Sequence, residues 1–341
     1  MAGAGTLSAA PAARGGLPPL LRRLLQVVPV LFGIATLNFL ILQLAPGDVV
    51  DVLAGEAGAA TPETMAALRQ SFGLDQPVWL QYLRYLGQLA SLDLGHSYRL
   101  NLPVRALILT RLPPTLLLMV SALLLAIVLG SLAGILAARQ VGGWLDTLLS
   151  GVTLLSYAVP TFWLGLMAIV LFSARLGWLP SGGMLTIGAS HDGLALLQDL
   201  AAHLVLPAVT LSTFYLAVYA RLVRSAMLEL HGADFIRTAR AKGAGEWRIT
   251  LHHAFRNALL PMVTMAGYQA ASLLSGAVLV ETVFSWPGLG RLAYEAIRTR
   301  DLNLLLGILF FSSILVVIVN IAIDGVYRLV DPRVAPRARR A

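Results

Sequence analysis

The sequence predicts an all-α integral membrane protein with six transmembrane helices, on the strength of its composition, the lengths of its apolar runs and the placement of its basic residues. Of 341 residues, 57% are hydrophobic and 12% are charged, whereas a soluble domain carries about 25% charged residues. Cysteine is absent, which excludes a disulfide framework, a thiolate nucleophile and a Cys-based metal site. A net charge of +8 would point to nucleic acid in a soluble chain. Here the basic residues sit in short segments between apolar runs, so membrane orientation accounts for them and no nucleic-acid partner is expected.

A helix needs roughly 20 mostly apolar residues to cross the hydrocarbon core, because unpaired backbone groups are too costly in lipid. Six runs meet this: Leu24 to Leu44, Pro113 to Ala138, Thr147 to Phe172, Leu204 to Leu228, Leu259 to Val280 and Asn303 to Val326. The first follows an Ala, Gly and Pro rich stretch bearing Arg14, Arg22 and Arg23. It is longer than the roughly 7 to 15 residues of a signal-peptide core, so it is expected to be a retained helix. The fourth holds Arg221 and Arg224 in its last turns, where snorkelling would bring them to an interface.

An even number of spans puts both termini on one side. The termini, the turn at Arg139 and the segment from Arg221 to Arg256 together hold 16 of the 25 basic residues. That side is expected to be cytoplasmic, since cytoplasmic loops carry the excess of Lys and Arg. The expected organisation is an inner tail (1–23), a first helix (24–44), an external segment (45–112), a five-helix core (113–330) with a long inner loop (229–258), and a second inner tail (331–341). Within the external segment, Thr61-Pro62-Glu63 reads as an N-cap, a proline at the first helical position and an acidic first turn. Trp79, Tyr82 and Tyr85 follow, at a spacing that suits the membrane interface or packing against the outer face.

The inner loop carries the most information. From Ala233 to Ala241 the residues suit a helix, the glycines at 243 and 245 interrupt it, and a second helical pattern resumes at Glu246. Helix, glycine turn, helix gives a basic hairpin that either docks in a partner's cleft or only fixes topology.

Asp234 to Gly243 reads DFIRTARAKG, and His252 to Pro261 reads HHAFRNALLP. These resemble the coupling loop of binding-protein-dependent ABC importer permeases, in the dipeptide, oligopeptide and nickel branch, with His252 where that branch usually has Arg. Further matching motifs are Phe39 to Asp48, Leu74 to Pro77, Asp93 to Gly95, Arg111 to Pro113, Val159 to Gly165, Leu176 to Gly183, Glu281 to Gly290 and Asp331 to Arg333. The resemblance implies a type I importer permease fold in a bacterial inner membrane. It also implies that the chain is half of a translocation pore for dipeptides, oligopeptides or a related solute, with nickel chelates, glutathione and sugars as alternative cargo. The implied partners are a second homologous permease expected to be a distinct chain, two ABC ATPases, an external solute-binding protein and membrane lipid.

The chain has no GxxxxGK[ST] loop to cradle nucleotide phosphates, so it is expected to be non-catalytic, without a cofactor, and driven by partner ATPases. By the resemblance the coupling-loop residues are Asp234, Arg237, Thr238, Ala239, Arg240, Lys242, Gly243 and Arg248, with Gly243 at the bend. Pro160 lacks an amide donor and can open a kink inside a span, so it and its neighbours Ser156, Tyr157 and Thr161 are candidates for pore lining. Asn38, Gln43 and Gln269 are read as hydrogen-bonding glue between helices. The histidines at 96, 191, 203, 231, 252 and 253 are scattered, and neighbours on a helix point apart, so no metal site is expected. An ion-coupled secondary transporter, the rival reading, would need buried acids in its spans.

Overall fold

The computed structural model describes residues 19–44, 50–51, 61–97, 99–189, 192–230 and 232–330. Residues 1–18, the Ala45 to Asp48 end of the first motif, His191, His231 and the tail 331–341 with its Asp331 to Arg333 motif lie outside them. Helix α1 (Pro19–Leu44) is followed by two helices of the external segment, α2 (Pro62–Phe72) and α3 (Val78–Ala90). Thr61 caps α2 by accepting the Thr64 amide at 3.3 Å, with Pro62 in the first turn. Tyr82 and Tyr85 lie against Phe39 of α1, with ring centroids 5.1 and 5.8 Å away, whereas Trp79 stays exposed. Gln43 reaches Gln81 of α3 at 3.1 Å. Strands β1 (His96–Ser97) and β2 (Leu102–Pro103) form a short antiparallel ladder pairing His96 with Pro103 and Ser97 with Leu102.

The core comprises α4 (Val104–Arg139), α5 (Trp144–Ala158), α6 (Thr161–Ala168) continuing in wider π-type turns to Arg175, and α7 (Leu194–Glu229). Then come α8 (Asp234–Ala241), the single turn α9 (Glu246–Arg248) with π-type turns to Phe255, α10 (Arg256–Val283), α11 (Leu289–Thr299) and α12 (Leu302–Val330). Among the described residues, four helices are long and apolar enough to cross a membrane, and up to six spans result if each of two bent pairs counts as one.

Two expectations about helix limits are corrected. The helix that carries the second span begins at Val104, not at Pro113, and Pro113 and Pro114 lie inside it. The extra turns are held by burial of Val104, Leu107 and Ile108 against Leu289, Leu292 and Leu304, so tertiary packing overrides the local proline signal. The third span is not one helix: α5 and the following helix meet at 105°. Pro160 provides no amide donor, and the residue before a proline is driven out of the helical region. Val159 accordingly sits at φ −85°, ψ 130°.

Helices α4 and α7 pack backbone against backbone. A Cβ on Gly130 would lie 2.8 Å from the Leu216 carbonyl oxygen, and one on Gly134 2.6 Å from that of Ala220. Gly130 and Gly134 form a G-x-x-x-G pair, which lets two backbones approach where lipid provides no hydrophobic drive for helix association. The buried cluster around this seam includes Leu118, Ala122, Ile135, Tyr215, Tyr219 and Val223. Asn38 donates to the Leu306 carbonyl at 3.3 Å and joins α1 to α12.

Candidate functional site

Helix α8 is two-faced. Ile236 and Ala239 are buried, while Asp234, Phe235, Arg237, Thr238 and Arg240 point outward. The inner face joins the same buried cluster as Ile135 and Ala138 of α4, Met227 of α7, and Ile249 and Ala254 of the following turns. Of the eight coupling-loop residues expected from sequence, Ala239 is therefore a packing residue, and the other seven lie on the exposed side.

The bend is set by backbone chemistry. Gly243 has φ +78°, where a side chain costs roughly 1–2 kcal/mol. Its amide donates to the Arg240 carbonyl at 2.9 Å, and the Ala244 amide to that of Ala239 at 3.1 Å. These bonds satisfy the last carbonyls of α8 in the reciprocal pattern of a left-handed helix cap. Across the turn the Arg240 guanidinium grips Glu246 with bonds of 2.8 and 3.1 Å, which holds the Arg240 pKa above its ordinary value. Being exposed, the pair adds little stability, but it fixes the direction of both arms. The Arg139 guanidinium stacks 3.7 Å above the Trp247 ring and joins the end of α4 to the second arm. The hairpin is thus a solid extension of the helical core.

Beside it, Asp146 at the start of α5 takes a bidentate pair from Arg224 of α7, with both bonds at 2.8 Å. The Gly142 amide donates to the same carboxylate at 3.0 Å. Arg224 is therefore anchored by a partner and does not simply reach for water. Sequence reasoning missed this pair, although an acid and a base within a turn of the same membrane face was the available signal.

Ser156, Tyr157, Pro160 and Thr161 gather at the 105° break between α5 and α6. Tyr157 is 53% exposed and stacks on Phe214 at 4.7 Å. The Ser156 hydroxyl donates back to the Val152 carbonyl at 2.9 Å, and Thr161 is half-buried.

At the opposite end, Glu281 is fully buried. Its carboxylate accepts the Thr115 hydroxyl at 2.7 Å and the Arg291 amide at 3.0 Å. Thr115 in turn accepts the Leu289 amide at 2.8 Å, and the Trp286 indole donates to the Pro114 carbonyl at 2.9 Å. The Glu281 to Gly290 motif is therefore a brace joining α4, α10 and α11. His252 and His253 lie with their rings at 88°, and among the described residues no three His, Asp or Glu side chains converge as metal ligands.

Comparison with known proteins places this geometry. Residues 130–336 match the family "Binding-protein-dependent transport system inner membrane component", and residues 17–119 match the N-terminal family of the same membrane components. The dipeptide transport system permease protein DppB of Escherichia coli (strain K12) is 40% identical over 332 residues, spanning 92% of this chain and 98% of its own. The di/tripeptide transport system permease protein DppB of Pseudomonas aeruginosa (strain UCBPP-PA14) is 41% identical over 329 residues, spanning 92% and 97%. Among solved structures, an inward-facing MetNI methionine ABC transporter shares the fold, with a TM-score of 0.52 at 20% identity over 66% of this chain and 97% of that one. The chain belongs to the binding-protein-dependent transport system inner membrane components, the membrane-spanning permeases of ABC importers.

Proposed function

We propose that this chain forms half of the pore of an ATP-driven importer for dipeptides or oligopeptides, and that its 234–251 hairpin is the surface on which a partner ATPase docks. Peptide cargo is inferred from the relatives named for dipeptide and di/tripeptide transport. A second homologous permease, a distinct chain, completes the pore. Two ATPases provide the hydrolysis, and an external binding protein delivers cargo. Both termini and the hairpin face the cytoplasm, in keeping with the 16 of 25 basic residues grouped on that side. The permease core is assigned to residues 113–330 and the external segment to 45–112.

The observation that carries the reading is a hairpin whose outer side presents charges beside the exposed Phe235 and whose inner side is fused to the core. Closure of two ATPases would push on Asp234, Arg237, Thr238, Lys242 and Arg248. Ile236 and Ile249 would pass that push to α4 and α7 as a rigid motion between two states. At the break beyond, Ser156, Tyr157, Pro160 and Thr161 line the path, where irregular backbone is tolerated because it borders a cavity.

The test is reconstitution of the full importer in proteoliposomes, with ATP hydrolysis and dialanine uptake measured together. Gly243→Trp is expected to insert normally while uptake falls at least about tenfold, from the strain at positive φ and the bulk at the docking face. Unchanged uptake would contradict the assignment. Competition by glutathione, a nickel chelate or a sugar, where dialanine fails to compete, would transfer the cargo to that solute.

A further inference from the structure

On the side opposite the hairpin, a cavity of about 700 Å³ lies between the external segment and the ends of α1 and α12. Its floor is apolar, from Phe39 and Leu42 of α1 and Leu306 and Gly307 of α12. Its wall is polar: Gln81, Arg84, Tyr85 and Gln88, spaced to share one face of α3, line it together with Asp93. Arg84 makes no ion pair or hydrogen bond among the described residues. Among the same residues, Asp93 accepts only the Gly95 amide, on Oδ1 at 3.1 Å. A cation and a carboxylate thus line the same cavity without neutralising each other, although a guanidinium and a carboxylate gain from charge-assisted bonds wherever they meet.

That arrangement suits a ligand bearing both charges. Toward the inner end of α1, on the same face as Phe39, Phe32 and Val28 are exposed, so an occupant with an apolar tail has a surface to run along. We propose that this cavity holds the headgroup of a zwitterionic phospholipid, with the phosphate on Arg84 and a primary ammonium on Asp93. The ammonium donates hydrogen bonds to the free Oδ2, which favours phosphatidylethanolamine. A choline headgroup has no N–H to donate, and an anionic glycerol headgroup brings no cation to meet Asp93. The bound lipid would brace α3 against α1 and α12. This inference stands independently of the cargo and of the ATPase contact.

The experiment uses the full-length chain in nanodiscs of equal parts palmitoyl-oleoyl phosphatidylethanolamine, phosphatidylcholine and phosphatidylglycerol, with retained lipid read by native mass spectrometry. Phosphatidylethanolamine is expected to be retained about tenfold over either competitor, the worth of one charge-assisted bond. Arg84→Gln with Asp93→Asn should abolish that preference, and Arg84→Lys should keep most of it. A variant that leaves the packing alone is also available: Gly87 lines the cavity, and a Cβ there meets nothing within 4 Å. Gly87→Leu should therefore exclude the headgroup while the helices stay intact by circular dichroism. Equal retention of the three lipids by the natural chain, or preference surviving both Gly87→Leu and the double variant, would overturn the proposal. So would displacement of no lipid together with saturable binding of dialanine at Arg84.

Discussion

Single residues carry three separate jobs here, and each gives a sharp expectation. Gly243 sets the bend of the hairpin through its φ of +78°. Asp146 is 5% exposed and depends on Arg224 for its two 2.8 Å bonds. Arg224→Ala should therefore lower the melting temperature of the purified chain in detergent, because it leaves the Asp146 carboxylate without its cation. Asp146→Asn combined with Arg224→Gln should recover much of that loss, since no uncompensated charge remains. Thr115→Val should loosen the Glu281 brace by about 1–3 kcal/mol, because the buried carboxylate and the Leu289 amide both lose their partner. Limited proteolysis between α10 and α11 would report the opening. Gly243 was legible in sequence because a glycine after a helical run is a local signal. The Asp146–Arg224 pair spans 78 positions and the Thr115–Glu281 bond 166, so no local pattern joins either, and only a shared membrane face hinted at the first.

Among the elements, the α4–α7 seam is governed by the Gly130 and Gly134 pair. Gly134→Val is expected to destabilise strongly and lower membrane yield, since its Cβ would fall 2.6 Å from the Ala220 carbonyl and backbone cannot yield as a side chain does. Unaltered melting would show that the seam is looser than described. The six apolar runs were legible because length and hydropathy are enough to define a span. Their limits were not. α4 extends outward to Val104 through two prolines because its extra turns bury apolar side chains under α11 and α12, a fact of tertiary packing. The break at Pro160 was legible as a kink but not as a 105° turn. The angle follows from two successive extended residues, Val159 and Pro160.

Over the whole molecule, the hairpin and the α5–α6 break lie on one connected body. The inner face of α8 shares its buried cluster with α4 and α7, and Asp146 ties α5 to α7. Force applied at the hairpin therefore has a route to the α5–α6 break without any long flexible segment between. Family membership came from motifs scattered over the whole chain, each a short run that sequence alone exposes. Which of those residues face outward required the fold, as the inward turn of Ala239 shows. The absence of natural cysteine makes the most direct measurement simple: a single cysteine at Lys242, in the assembled importer, tested for crosslinking to the ATPase subunit with and without ATP. The account predicts a crosslink from Lys242→Cys, and none from Leu185→Cys on the opposite side. A hairpin cysteine that stays freely reactive to a soluble maleimide in the full complex, with no ATPase adduct in either nucleotide state, would contradict it.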